Sequence, residues 1–72
     1  MISEDGYNKA LMLVRQAYLQ GLLPNGNTAG KSHVKHGGKP IPDDHGYQLI
    51  AEAQADGASG DLIRKMRKAM DL

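Results

Sequence analysis

The chain has no cysteine, no phenylalanine and no tryptophan, and only three tyrosines among its 72 residues. Without cysteine there is no disulfide staple and no thiolate-held zinc or iron–sulfur cluster. The core is left to Leu, Ile, Met, Val and Ala. A domain this short buries only about 60% of the surface its unfolded chain exposes, so marginal stability is expected. Self-association is one remedy for a small core without staples, and a homodimer is therefore one expectation. No apolar run approaches the ~20 residues that a membrane-spanning helix needs. The opening Met1-Ile2-Ser3-Glu4-Asp5 lacks the basic start and apolar stretch of a secretory signal. These absences point to a cytoplasmic protein with no membrane partner.

A dominant charge is also lacking: nine basic and eight acidic residues leave a net charge of +1. The distribution is less even than the total. Lys31, Lys35 and Lys39 crowd the middle, and Arg64, Lys65, Arg67 and Lys68 bunch near the end. Overall charge gives no argument for nucleic acid, whereas these two local clusters give one.

What is present is helical periodicity, interrupted once. Ser3 can cap a first helix, with Glu4 and Asp5 in its first turn where negative charge meets the positive end of the dipole. Tyr7, Ala10, Leu11, Val14, Ala17, Tyr18 and Leu22 fall on one arc, and Gly21 is the natural stop. A second stripe of Met12, Leu19 and Leu23 lies apart from that arc. It either packs against another part of the fold or forms a dimer or partner surface. A second helix opens at Asp43 or Asp44, carries Tyr47, Leu49, Ile50, Ala51 and Ala53, and stops at Gly57. Ser59 caps a third, whose buried arc is Leu62, Ile63, Met66, Ala69 and Met70. Glu4-Asp5-Gly6-Tyr7 is faintly echoed by Asp44-His45-Gly46-Tyr47, a match too short to establish a repeat.

Residues 24–42 hold all three prolines, four of the nine glycines, three lysines and two of the three histidines. A long insert without secondary structure in a small domain is usually functional or a tether. Turn chemistry dominates it, and a short hairpin closing on Gly37-Gly38 competes with an irregular, mobile loop, which is favoured. The expected fold is all-α, a single domain over 1–72, with helices at 3–21, 44–56 and 59–71. A long Gly/Lys/His-rich loop at 22–43 lies outside the helices and meets the partner.

Several patterns suggest chemistry. Gly26 to Ser32 approximates a phosphate-binding loop, but only three residues separate the glycines and no strand precedes them. His33 and His36, with His45 beside Asp43 and Asp44, are weak candidates for a metal site, because glycine-rich flanks do not pre-order ligands. No nucleophile has a base and an orienting third group, so neither an enzyme nor a cofactor nor a small-molecule substrate is expected. Ala53, Gly57 and Ile63, followed by Met66, have the spacing of a small residue, a turn glycine and buried apolar positions. Residues 49–68 thereby resemble the generic helix-turn-helix pattern. The resemblance implies that the third helix would lie in a major groove. Ala58, where a larger apolar residue commonly packs, and Asp61, at the base-reading end, depart from the pattern.

Two functions follow from this. The first is a small DNA-binding regulator using Lys31, Lys35, Lys39, Arg64, Lys65, Arg67 and Lys68 on phosphates, with Arg64 able to reach a guanine edge. The alternative is a helical adaptor or inhibitor that binds a larger protein through the loop or through Met12, Leu19 and Leu23.

Overall fold

The computed structural model describes residues 1–72 and is all-α, with α1 at Glu4–Leu19, α2 at Asp43–Ala55 and α3 at Gly60–Met70. Ser3 Oγ accepts from the Gly6 N–H at 2.9 Å, and Ser59 Oγ from the Leu62 N–H at 3.2 Å, so both expected caps form. Pro42 precedes α2 without a side-chain acceptor, and Asp43 and Asp44 provide the negative charge in its first turn.

All three helices stop in the same way. Gly57 N–H donates to Gln54 O and Ala58 N–H to Ala53 O, both at 3.0 Å. Gly21 and Leu22 repeat this pair after α1, and Asp71 and Leu72 after α3. These paired bonds satisfy carbonyls that a helix end otherwise leaves orphaned. The pattern needs a left-handed residue, which Gly57 supplies at φ 95° and Asp71 at φ 58°.

Ile2 and Ile41 exchange backbone hydrogen bonds at 2.8 and 2.7 Å, an isolated antiparallel bridge that sets the starts of α1 and α2 at one pole. The C-terminal end of α3 reaches the same pole. A Cβ on Gly6 would lie 2.5 Å from Ala69 O, and one on Gly46 would overlap Ile2 and Leu72 side chains. The two glycines of the echoed Asp/His-Gly-Tyr segments thus do one job, letting the first turn of a helix meet the end of α3. α3 runs antiparallel to α1 and makes its broadest contact there.

The core joins Val14, Leu11 and Ala10 of α1, Leu49, Ile50 and Ala53 of α2, and Leu62, Met66 and Met70 of α3. Burying a side chain of this size contributes about 1.5–3 kcal/mol. Three expected core positions fall outside: Tyr18, Leu22 and Tyr47 are exposed. The inner face of α2 centres on Gly46, Leu49, Ile50 and Ala53, and Ala51 also faces solvent.

The connection from α1 to α2 corrects the expectation of a loop lying outside the fold. Leu23, Thr28, Ala29 and Ile41 are buried and Val34 is half-buried. The segment returns along α1, and a row of polar side chains on that helix holds its backbone. Asn8 Nδ2 donates to Val34 O at 3.0 Å while Asn8 Oδ1 accepts from Val34 N–H at 2.9 Å. Arg15 donates to Ala29 O and Lys31 O, both at 3.3 Å, and Glu4 accepts from the His36 N–H. Gly37 and Gly38, at φ 60° and 80°, do turn the chain, with Lys39 N–H donating to His36 O at 3.0 Å. No hairpin ladder follows, so the connection is irregular but tied down.

Gly6→Ala gains helix propensity of about 1 kcal/mol, but the methyl must displace a backbone carbonyl, an overpacking cost of about 1–3 kcal/mol. The expected result is a net loss of stability, with Tm lower by roughly 5 °C. Gly60→Ala, where nothing lies within 4 Å of the new methyl, is expected to leave Tm unchanged or raise it. Thermal unfolding of the two variants checks both signs. A stabilised Gly6→Ala protein contradicts this packing of α1 on α3.

Candidate nucleic-acid interface

The residues that carry the helix-turn-helix resemblance lie on α2, the turn and α3. Ala53 and Met66 are fully buried, Gly57 takes the left-handed turn and Ile63 is half-buried. A Cβ on Gly57 would approach within 2.9 Å of the Pro24 ring, so the turn is also packed against the connection from α1.

The seven cations named from sequence do not form one surface. On α3, Arg64, Lys65 and Lys68 face solvent. Asp61 lies 3.5 Å from Arg64 and 3.3 Å from Lys65, exposed pairs worth at most about 1 kcal/mol and readily exchanged for another anion. Arg67 turns the other way. Its guanidinium lies 6.0 Å from the Tyr47 ring centroid and donates to Leu72 O at 2.7 Å, which ties α3 to α2. Lys31 is paired with Glu52 at 2.9 Å. At about 100° per residue, the row Glu4, Asn8 and Arg15 lies roughly opposite Gly6, Leu13 and Ala17, the side of α1 that meets α3. The loop cations Lys35 and Lys39 therefore sit across α1 from α3.

A further cation, outside the two clusters evident in the sequence, joins α3. Lys9 of α1 borders a shallow depression together with Leu13, Lys65, Lys68 and Ala69. Its signal was its place on α1, three residues after Gly6 and four before Leu13, but this becomes readable only once α1 is known to pack on α3.

The remaining sequence candidates are dispersed. His33, His36 and His45 do not gather with acidic residues into a set of three that could hold a metal ion. Gly26 to Ser32 is a compact turn rather than a phosphate cradle. Gly30 N–H donates to Gly26 O, Lys31 N–H to Thr28 O, and Thr28 N–H to Asp56 Oδ2 at 2.7 Å. Of the second apolar stripe, Met12 is 47% and Leu19 75% exposed. Leu23 is 2% exposed and belongs to the core, which removes it from any partner surface. Tyr18 and Leu22 join Met12 and Leu19 as exposed apolar side chains. No helix is long and apolar enough to cross a membrane.

Comparison of the chain with protein-family models, with curated proteins and with solved structures gave no match.

Three ionisable groups have shifted pKa values, and two of them, Asp56 and Lys31, fasten the connection. Asp56 is held below the usual carboxylate value, first by the Thr28 hydroxyl, then by the Thr28 N–H, with burial opposing and the Asn27 side chain adding. The Thr28 hydroxyl is itself buried and faces the carboxylate without a well-formed hydrogen bond. Lys31 is raised, first by its hydrogen bond to Glu52. Tyr7 is raised, first by burial, with Lys31 opposing and Glu52 adding. The depressed Asp56 stabilises the fold above its unfolded pKa and loses that effect as pH falls through the folded one. The raised Lys31 and Tyr7 stabilise below their unfolded values and lose that effect as pH rises further. Stability is therefore expected to be flat from about pH 5 to about pH 9 and to fall on both sides. Urea midpoints across this range check the profile. Asp56→Asn is expected to flatten the acid limb, and an acid limb as steep as that of the wild type contradicts the role given to Asp56.

Proposed function

We propose that this chain is a small, non-enzymatic DNA-binding regulator that presents α3 to duplex DNA. The supporting observation is the α2–turn–α3 unit: Ala53 and Met66 inside, Gly57 left-handed at the turn, and Arg64, Lys65 and Lys68 outward on α3. In this reading α3 lies in the major groove. Arg64 is suited to a guanine edge and Lys65 and Lys68 to phosphates. Asp61 relinquishes its weak pairs with Arg64 and Lys65 as phosphates take its place. Arg67 serves packing rather than contact, and Lys35 and Lys39 lie across α1 and take no part. The reading takes the protein to act in the cytoplasm.

Two phosphate contacts, those of Lys65 and Lys68, imply that log K falls with log salt at a slope of about −1.8. Gel retardation of random duplex at two salt concentrations measures it. No retardation at low salt ends this reading, and a flat salt response contradicts it.

A second reading is supported by the exposed apolar side chains Met12, Tyr18, Leu19 and Leu22 around the C-terminal half of α1. They suit a protein partner or a second copy of the chain. On this reading, replacing Met12 and Leu19 with polar residues abolishes a concentration-dependent increase in size while leaving the monomer folded. On the DNA reading the same variant retains duplex binding.

A further inference from the structure

The depression between α1 and α3 has an unusual border for a chain of almost balanced charge. Lys9, Lys65 and Lys68 line it together with Leu13 and Ala69, and no acidic residue does. Lys9 and Lys68 make no ion pair, although Asp5 stands one turn before Lys9 on the same helix. Only Lys65 has a partner, the exposed Asp61 at 3.3 Å. Three like charges bordering one depression raise the local positive potential and favour a negatively charged occupant. The arrangement is relieved by an anion carrying more than one charge or by successive anions along a polymer. The cations come from two helices, so an anion seated there contacts the helix that presents α3 as well as α3 itself.

We infer that Lys9, Lys65 and Lys68 form a clamp for the phosphate backbone of nucleic acid, in which Lys9 contacts phosphate directly from α1. This inference rests on the DNA-binding reading and extends it. α1 becomes part of the interface rather than a brace behind it, and the interface gains a contact that carries no sequence information. Phosphate contacts of this kind fix the register of a reading helix on the duplex, while base specificity remains with the outward side chains of α3. A lysine point charge suits this role, since it needs no fixed geometry on the phosphate oxygen.

The test uses the full chain and random duplex DNA, comparing wild type with Lys9→Gln, Lys68→Gln and Lys39→Gln over a range of salt. All three lysines are exposed, and unchanged thermal unfolding establishes that each variant is folded. Removing one phosphate contact should reduce the magnitude of the salt slope by about 0.9 and weaken binding equally for unrelated sequences. Lys9→Gln and Lys68→Gln are each expected to do so, and Lys39→Gln, across α1, to leave slope and affinity unchanged. If wild type binds with a steep slope and Lys9→Gln binds identically, the clamp is overturned while the DNA reading stands. If Lys39→Gln weakens binding as much as Lys9→Gln does, the effect is diffuse charge and the clamp is again overturned. If wild type fails to retard duplex at low salt, both the clamp and the reading beneath it fall.

Discussion

Everything in this fold depends on how an irregular stretch of backbone is satisfied. The Ile2–Ile41 bridge starts α1 and α2 at the same pole, so residues 20–42 must travel back along the full length of α1. A chain segment packed against a helix with no ladder of its own leaves donors and acceptors that burial would penalise. Asn8 answers with both its amide groups, pairing Val34 N–H and O as a neighbouring strand would. Arg15 and Glu4 extend the same row toward the two ends of α1. Each such bond contributes about 0.5–1.5 kcal/mol net, a large share of what a domain of this size has. At the far pole Asp56 completes the work. Its backbone oxygen accepts from Asn25 and its carboxylate from Thr28, so the end of α2 and the start of the connection are locked together.

This constraint determines what the surface offers. α1 gives one side to the connection, one to α3 and one to the shared core, and a strip with Asp5, Lys9, Met12, Gln16 and Leu19 faces solvent, with Arg15 and Tyr18 exposed outside it. The connection and α3 occupy opposite sides, which separates two groups of cations that look alike in composition. The lysines of residues 31–39 are partly used, as at Lys31, or lie on the far face. Those of α3 are joined instead by Lys9. Three of the nine basic residues, Lys9, Lys65 and Lys68, thus meet at the α1–α3 seam.

The helices were legible in the sequence because their signals are local. Ser3 and Ser59 cap, Gly21 and Gly57 stop, and the 3.6-residue spacing of Leu62, Met66 and Met70 marks the inner face of α3. The course of residues 24–42 was not legible, since its partners are distant in the chain. Glu4, Asn8 and Arg15 resemble the solvent face of any amphipathic helix until the connection is laid across them. Helical arithmetic puts Leu23 on an outer stripe, but the helix has ended before it and the chain turns it inward. Helical spacing puts Tyr47 in the core, whereas it is exposed and stands beside Arg67. The two meet at the surface, a pairing that the approach of α2 to α3 creates. The spacing of the turn in residues 49–68 was visible at once, whereas which cations stand beside it required the path of α1.

The central claim is that the connection is a built part of the fold, bound to α1 through its backbone. Hydrogen exchange of the Val34 amide tests it most directly, because that N–H has Asn8 as its partner and no helix of its own. The account predicts protection comparable to the amides in the middle of α1. Exchange of Val34 at the rate of an unfolded peptide, with α1 itself protected, would contradict it.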